Sequence, residues 1–129
     1  MSYEKNDLIK YRLEKAHVTL TEAKSLFAQG YYSGAANRLY YSCFYAVIAL
    51  LAKDDISVRT HNGVRSEFFR LYIKTGILNS GLSETYSNLM GIRQDSDYGD
   101  LIDFQDEDIR PLVTQAEEFI KNIEGLLIK

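Results

Sequence analysis

The chain has 129 residues, with 15 Lys and Arg against 18 Asp and Glu, 46% apolar residues and a formal charge of −3 at pH 7. This is the composition and length of one globular domain (residues 1–129), not of a disordered or fibrous chain, and its acidity argues against bulk, sequence-blind binding to nucleic acid. The single cysteine, Cys43, excludes an intrachain disulfide framework and a cysteine-based zinc cluster. The longest mainly apolar run, Phe44–Ala52, falls short of the ~20 residues of a membrane span, and Met1–Lys5 shows no apolar leader. The expectation is a cytoplasmic protein with no membrane association and no cofactor.

One proline and ten tyrosines without a tryptophan favour long helices and surfaces where a ring is buried and its hydroxyl is wet. From about Asn6 to Gln29, Ile9, Leu13, Ala16, Leu20, Ala23 and Phe27 recur at spacings of four and three, one apolar stripe of a helix that Gly30 ends. Ser33 is the expected cap of a second helix reaching about Lys53. Asn37, Tyr41, Phe44, Ile48 and Leu51 form one stripe there, and Ala36, Leu39, Cys43, Val47 and Leu50 the next. Arg38, Ser42 and Lys53 are left as a narrow polar sector, the pattern of a central helix covered by neighbours or by a second subunit. Thr60 is a good N-cap for a third helix over about 61–74. Ser83 should open a fourth through Arg93. The last begins near Asp106–Asp108, with Pro111 in or close to its first turn. No strand pattern, repeat or long linker is visible. The fold class is all-α, an antiparallel up-and-down bundle of about five helices.

Between Asp95 and Asp108 stand seven acidic residues and no basic one, but the spacing fails the calcium-loop pattern, so a solvated acidic loop is expected. Cys43 lies in the most apolar helix and reads as a buried thiol rather than a nucleophile. His17 sits at the margin of the first stripe and is given no role. His61 shares a helical face with Val64, Phe68 and Leu71, as a core-edge histidine bonded to a neighbour would. Arg93 follows Leu82, Tyr86 and Leu89 on one stripe, and a guanidinium there cannot discard its charge. Either it pairs with Asp97, four residues on, or it holds a phosphate at the helix end with Tyr98 beside it.

The run Asn37-Arg38-Leu39-Tyr40-Tyr41-Ser42-Cys43-Phe44-Tyr45-Ala46, then Thr60-His61, then Arg93-x-x-x-Asp97-Tyr98, resembles the HEPN domain family (higher eukaryotes and prokaryotes nucleotide-binding) over nearly the whole chain. The resemblance implies a helical bundle that forms a homodimer, often encoded beside a minimal nucleotidyltransferase in a toxin–antitoxin-like pair. Many such domains are metal-independent endoribonucleases that use an Arg followed after four to six residues by a His. Here the positions after Arg93 where that His could stand are Tyr98, Gly99 and Asp100. A phenol with an ordinary pKa near ~10 is a poor proton acceptor at neutral pH. The resemblance therefore carries over nucleotide or RNA contact, with Arg93, Asp97, Tyr98, His61 and Arg38 as candidate residues, and no catalytic base. The alternative is a structural dimerisation or adaptor protein without a nucleic-acid ligand.

Overall fold

The computed structural model describes residues 2–96 and 103–128. They form α1 (Ser2–Ala28), α2 (Tyr32–Lys53), α3 (His61–Phe68), α4 (Ser80–Ser96) and α5 (Asp106–Leu127), with a π-helical turn over Phe69–Ile73 continuing α3. No strand occurs among the described residues, and the bundle is the all-α arrangement that the apolar spacing predicts.

Ala16 and Ala23 are fully buried on the α1 stripe, and side chains this small let α1 lie close to α2. Gly30 adopts a left-handed φ of 81°. It lets the Tyr31 N–H donate to the Leu26 carbonyl at 2.9 Å and its own N–H to that of Phe27 at 3.0 Å, which satisfies the last carbonyls of α1. So short a connection returns α2 antiparallel along α1.

α2 is the centre of the molecule and packs on α1, α3, α4 and α5. Leu39, Tyr40, Cys43, Val47 and Leu50 are fully buried in its core, while Tyr41, Phe44, Tyr45 and Ile48 are half-buried. Burying each Leu or Val contributes about 1.5–3 kcal/mol, so this helix is the main source of cohesion. Ser42 is buried as well, not part of an exposed polar sector. Its hydroxyl donates to the Leu39 carbonyl at 2.7 Å, which satisfies it inside the helix.

Three further expectations need correction. The cap of α2 is Tyr31, with no side-chain bond, and Ser33 lies inside the helix; the closure at Gly30 and the packing of Tyr32 on Phe27, ring centres 5.7 Å apart, set the start instead. α4 begins at Ser80 rather than Ser83, with the Leu82 N–H already donating to the Asn79 carbonyl at 3.1 Å. Pro111 is the sixth residue of α5, close to the first turn but past the N–H groups that have no partner in the helix, so it removes the bond to the Glu107 carbonyl. Finally, α2 with its 22 residues is long and apolar enough to cross a membrane by length and composition, although 67% of its apolar window is buried inside the bundle. Tyrosines and small residues extend the apolar character of α2 on the N-terminal side of the run Phe44–Ala52.

Candidate functional site

Thr60 caps α3 as its sequence predicts, its hydroxyl accepting the Gly63 N–H at 2.9 Å. That cap places His61 at the first position of α3, beside the N-terminal half of α2. The Tyr40 hydroxyl and His61 Nδ1 share a hydrogen bond of 2.7 Å. The imidazole also meets Phe44, Tyr40 and Tyr41 at ring-centre distances of 4.9, 5.6 and 5.8 Å. The hydrogen bond to Tyr40 and the three rings give this half-buried histidine a fixed orientation.

α4 brings the second group. Leu82, Tyr86 and Leu89 are buried on its stripe, and Arg93, in its last turn, is half-buried. Its guanidinium carbon lies 5.4 Å from the centre of the Tyr40 ring, a cation–π contact. The Ser96 hydroxyl donates to the Arg93 carbonyl at 2.8 Å and closes that turn. Burial pushes the Tyr40 phenol up from its ordinary value, and the nearby Arg93 charge offsets part of this. Tyr40 thus stays neutral and joins an imidazole at its hydroxyl to a guanidinium at its ring.

Among the sequence candidates, His61 and Arg93 are brought to one place although 32 positions separate them in the chain. Arg38 lies beside Asn37, Glu22 and Tyr41. Asn37 Oδ1 accepts from its Nη2 and Nε at 2.9 and 3.1 Å, Glu22 lies 3.9 Å away, and its guanidinium covers the Tyr41 ring at 5.1 Å. It meets the cluster at Tyr41. Asp97 and Tyr98, with the expected Arg93–Asp97 pair, lie outside the described residues. Tyr40, Phe44 and Tyr86 complete the cluster beyond the residues expected from the sequence. The signal for Tyr40 was a tyrosine deep in an apolar helix, whose hydroxyl must find a partner.

Tyr86 packs on Tyr40 with ring centres 5.7 Å apart. Its hydroxyl is buried close to Tyr40 without a well-directed hydrogen bond, and burial drives its pKa strongly upward. Cys43 is fully buried, its thiol pushed up by burial to about 12, as expected of a structural thiol. His17 faces Glu124 across α1 and α5 at 3.2 Å, away from the cluster. No group of three or more metal-ligating side chains is placed to hold an ion among the described residues. The cluster brings together a guanidinium, an oriented imidazole and aromatic faces, side-chain types that contact phosphates and bases.

A sequence profile of the HEPN domain matches residues 9–126. A "UPF0332 protein" of Thermotoga maritima is 36% identical over 124 residues, covering 96% of this chain and 94% of that protein. Two proteins of Methanocaldococcus jannaschii are also similar. One, named "Putative toxin MJ0142", is 33% identical over 116 residues, 90% of this chain and 79% of its own length. The other, named "Putative toxin MJ0605", is 26% identical over 119 residues, 92% of this chain and 88% of its own. With the profile spanning nearly all of the bundle that carries the Tyr40–His61–Arg93 cluster, the chain belongs to the HEPN domain family.

Proposed function

We propose that this protein is a toxin-like HEPN component that binds single-stranded RNA or nucleotide through Arg93 and His61. It would act in the cytoplasm as a homodimer and with a minimal nucleotidyltransferase as its partner. The observation that carries this is the placement of Arg93 and His61 on the ring and the hydroxyl of one buried tyrosine. A preorganised cation beside an oriented imidazole meets a phosphate at little ordering cost. The names of the two archaeal relatives support the toxin-like part. The half-buried row Tyr41, Phe44, Tyr45 and Ile48 supports the dimer, because aromatic residues of this kind are enriched where subunits meet.

Binding rather than cleavage is the expected activity, since no His follows Arg93 at the spacing of the family's ribonucleases. Titration of the full chain with a fluorescent single-stranded RNA should give saturable binding. Arg93→Gln should abolish it while leaving the helical circular dichroism intact. Retained binding in Arg93→Gln defeats the proposal. Strong RNA cleavage in EDTA, lost in His61→Ala, would make His61 a catalytic base and replace binding by hydrolysis.

A further inference from the structure

We infer that the cavity between α3 and α4 is a second contact point for the same RNA strand, taking a base against Phe69 and a phosphate against Arg65. This extends the RNA-binding proposal above and rests on it. The cavity has a volume of about 430 Å³, within the ~300–1,000 Å³ of sites that hold small organic groups. Its walls include Asn62, Arg65, Ser66, Phe69, Ser83 and Tyr86.

Three features give the cavity its chemistry. Arg65 is exposed, donates one N–H to the Ser87 hydroxyl at 2.9 Å, and has no carboxylate within ion-pair distance among the described residues. A guanidinium has five N–H donors in a planar fork, so most remain for an anion. Phe69 opens the π-helical turn, where the Lys74 N–H donates to the Phe69 carbonyl five residues back at 2.8 Å. π-Helical turns are rare and occur frequently at functional sites. Here the consecutive rings of Phe68 and Phe69 take opposite environments, 1% and 47% exposed. The remaining wall is the Asn62 amide, the Ser66 and Ser83 hydroxyls and the Phe68 and Tyr86 rings, a mixture that suits both the polar edges and the face of a base.

The cavity also joins the site already described. The Tyr86 ring forms part of its wall and packs on Tyr40, the residue that carries Arg93 and His61. Tyr86 and Arg93 share one stripe of α4, and the seven-residue step from one to the other spans about 10 Å of helix. A strand whose phosphate meets Arg93 therefore needs to run only about two helical turns along α4 to place a neighbouring base on Phe69. Because the whole chain is acidic, attraction for RNA has to be local, and two arginines on either side of one aromatic pair supply it.

The test is fluorescence anisotropy of the full chain with a labelled pool of random single-stranded RNA of about 12 nucleotides, at several salt concentrations. Phe69→Leu should weaken binding about tenfold with an unchanged salt dependence, since stacking is lost and charge is not. Arg65→Gln should weaken binding and reduce the slope of log K against log salt by about 0.7, the share of one phosphate contact on a single strand. A role in folding alone would not move that slope. Ser66→Glu, an exposed position, should also weaken binding by placing a negative charge in the cavity, and it keeps the test open if Phe69→Leu misfolds. Wild-type affinity in Arg65→Gln and Ser66→Glu, with loss in Arg93→Gln, overturns the cavity and leaves the RNA proposal standing. No binding by the wild type at about 100 µM, where even non-specific complexes form, overturns both.

Discussion

Tyr40 does at the scale of one residue what the helices do at the scale of the fold: it holds distant parts in register. Its hydroxyl bonds His61 on α3 and its ring faces Arg93 on α4. Replacing it by phenylalanine separates the two contacts, because the ring stays and the hydroxyl goes. Tyr40→Phe should cost about 1–2 kcal/mol, the typical result of leaving a partly buried nitrogen without its hydrogen bond. In a domain of this size that is a fall of roughly 3–10 °C in melting temperature. RNA affinity should fall less than in Arg93→Gln, as the cation–π contact survives. A melting temperature unchanged within a degree, measured by circular dichroism, would show that the Tyr40–His61 bond contributes nothing to stability.

At the scale of elements, the start of α3 controls the site. A Cβ added to Gly63 would come within 2.5 Å of Val58 Cγ1 and 2.7 Å of the Thr60 hydroxyl. Alanine gains about 1 kcal/mol of helix propensity over glycine, but the clash displaces the cap, and overpacking of this kind costs about 1–3 kcal/mol. We expect Gly63→Ala to be destabilised by about 1–2 kcal/mol in chemical denaturation and to bind RNA more weakly, because His61 moves with the cap; Thr60→Ser, which keeps the capping oxygen, should behave like the wild type. A more stable Gly63→Ala would show that Val58 yields freely. The helices themselves were legible in the sequence because apolar spacing reports burial directly, and the caps at Gly30 and Thr60 because each rests on a local bond. The start of α2 and the π-helical turn were not, since packing of Tyr32 on Phe27 and of Phe68 in the core decides them. His61 and Arg93 were each visible as residues on buried faces. That they meet at Tyr40 was not visible, because sequence spacing carries no information across three helices.

For the whole molecule, two expectations concern association and alkaline pH. The proposed dimer should scatter light as a species of about twice 14.8 kDa at micromolar concentration, and Ile48→Lys should reduce it to a monomer by charging the half-buried row of α2. A wild type that is monomeric throughout ends that proposal. The bundle also buries several groups that must stay protonated. Burial raises Cys43 from 9.0 to about 12 and moves Tyr40, Tyr72 and Tyr86 above their ordinary 10.0, with a hydrogen bond to Asp54 adding to the effect at Tyr72. A raised folded-state pKa gives stability that is complete below the unfolded value and is lost as pH climbs beyond it. Thermal melts should therefore be flat through pH 8 and fall steadily from about pH 9 to 11. A melting temperature constant to pH 11 would mean that these phenols and the thiol ionise in place.

The buried thiol on α2 also acts as a built-in clock for the opening of the bundle. Only a thiolate attacks an alkylating reagent, and with a pKa near 12 the native chain at pH 8 presents almost none. Modification of Cys43 must then wait for α2 to separate from its neighbours. When reclosing is faster than alkylation, the labelling rate reads the open fraction directly, as amide exchange does for backbone groups. The chain has one cysteine, so the signal comes from one place without any substitution. A ligand that bridges α3 and α4 should slow this clock in proportion to its occupancy, giving a measure of binding that needs no label on the ligand.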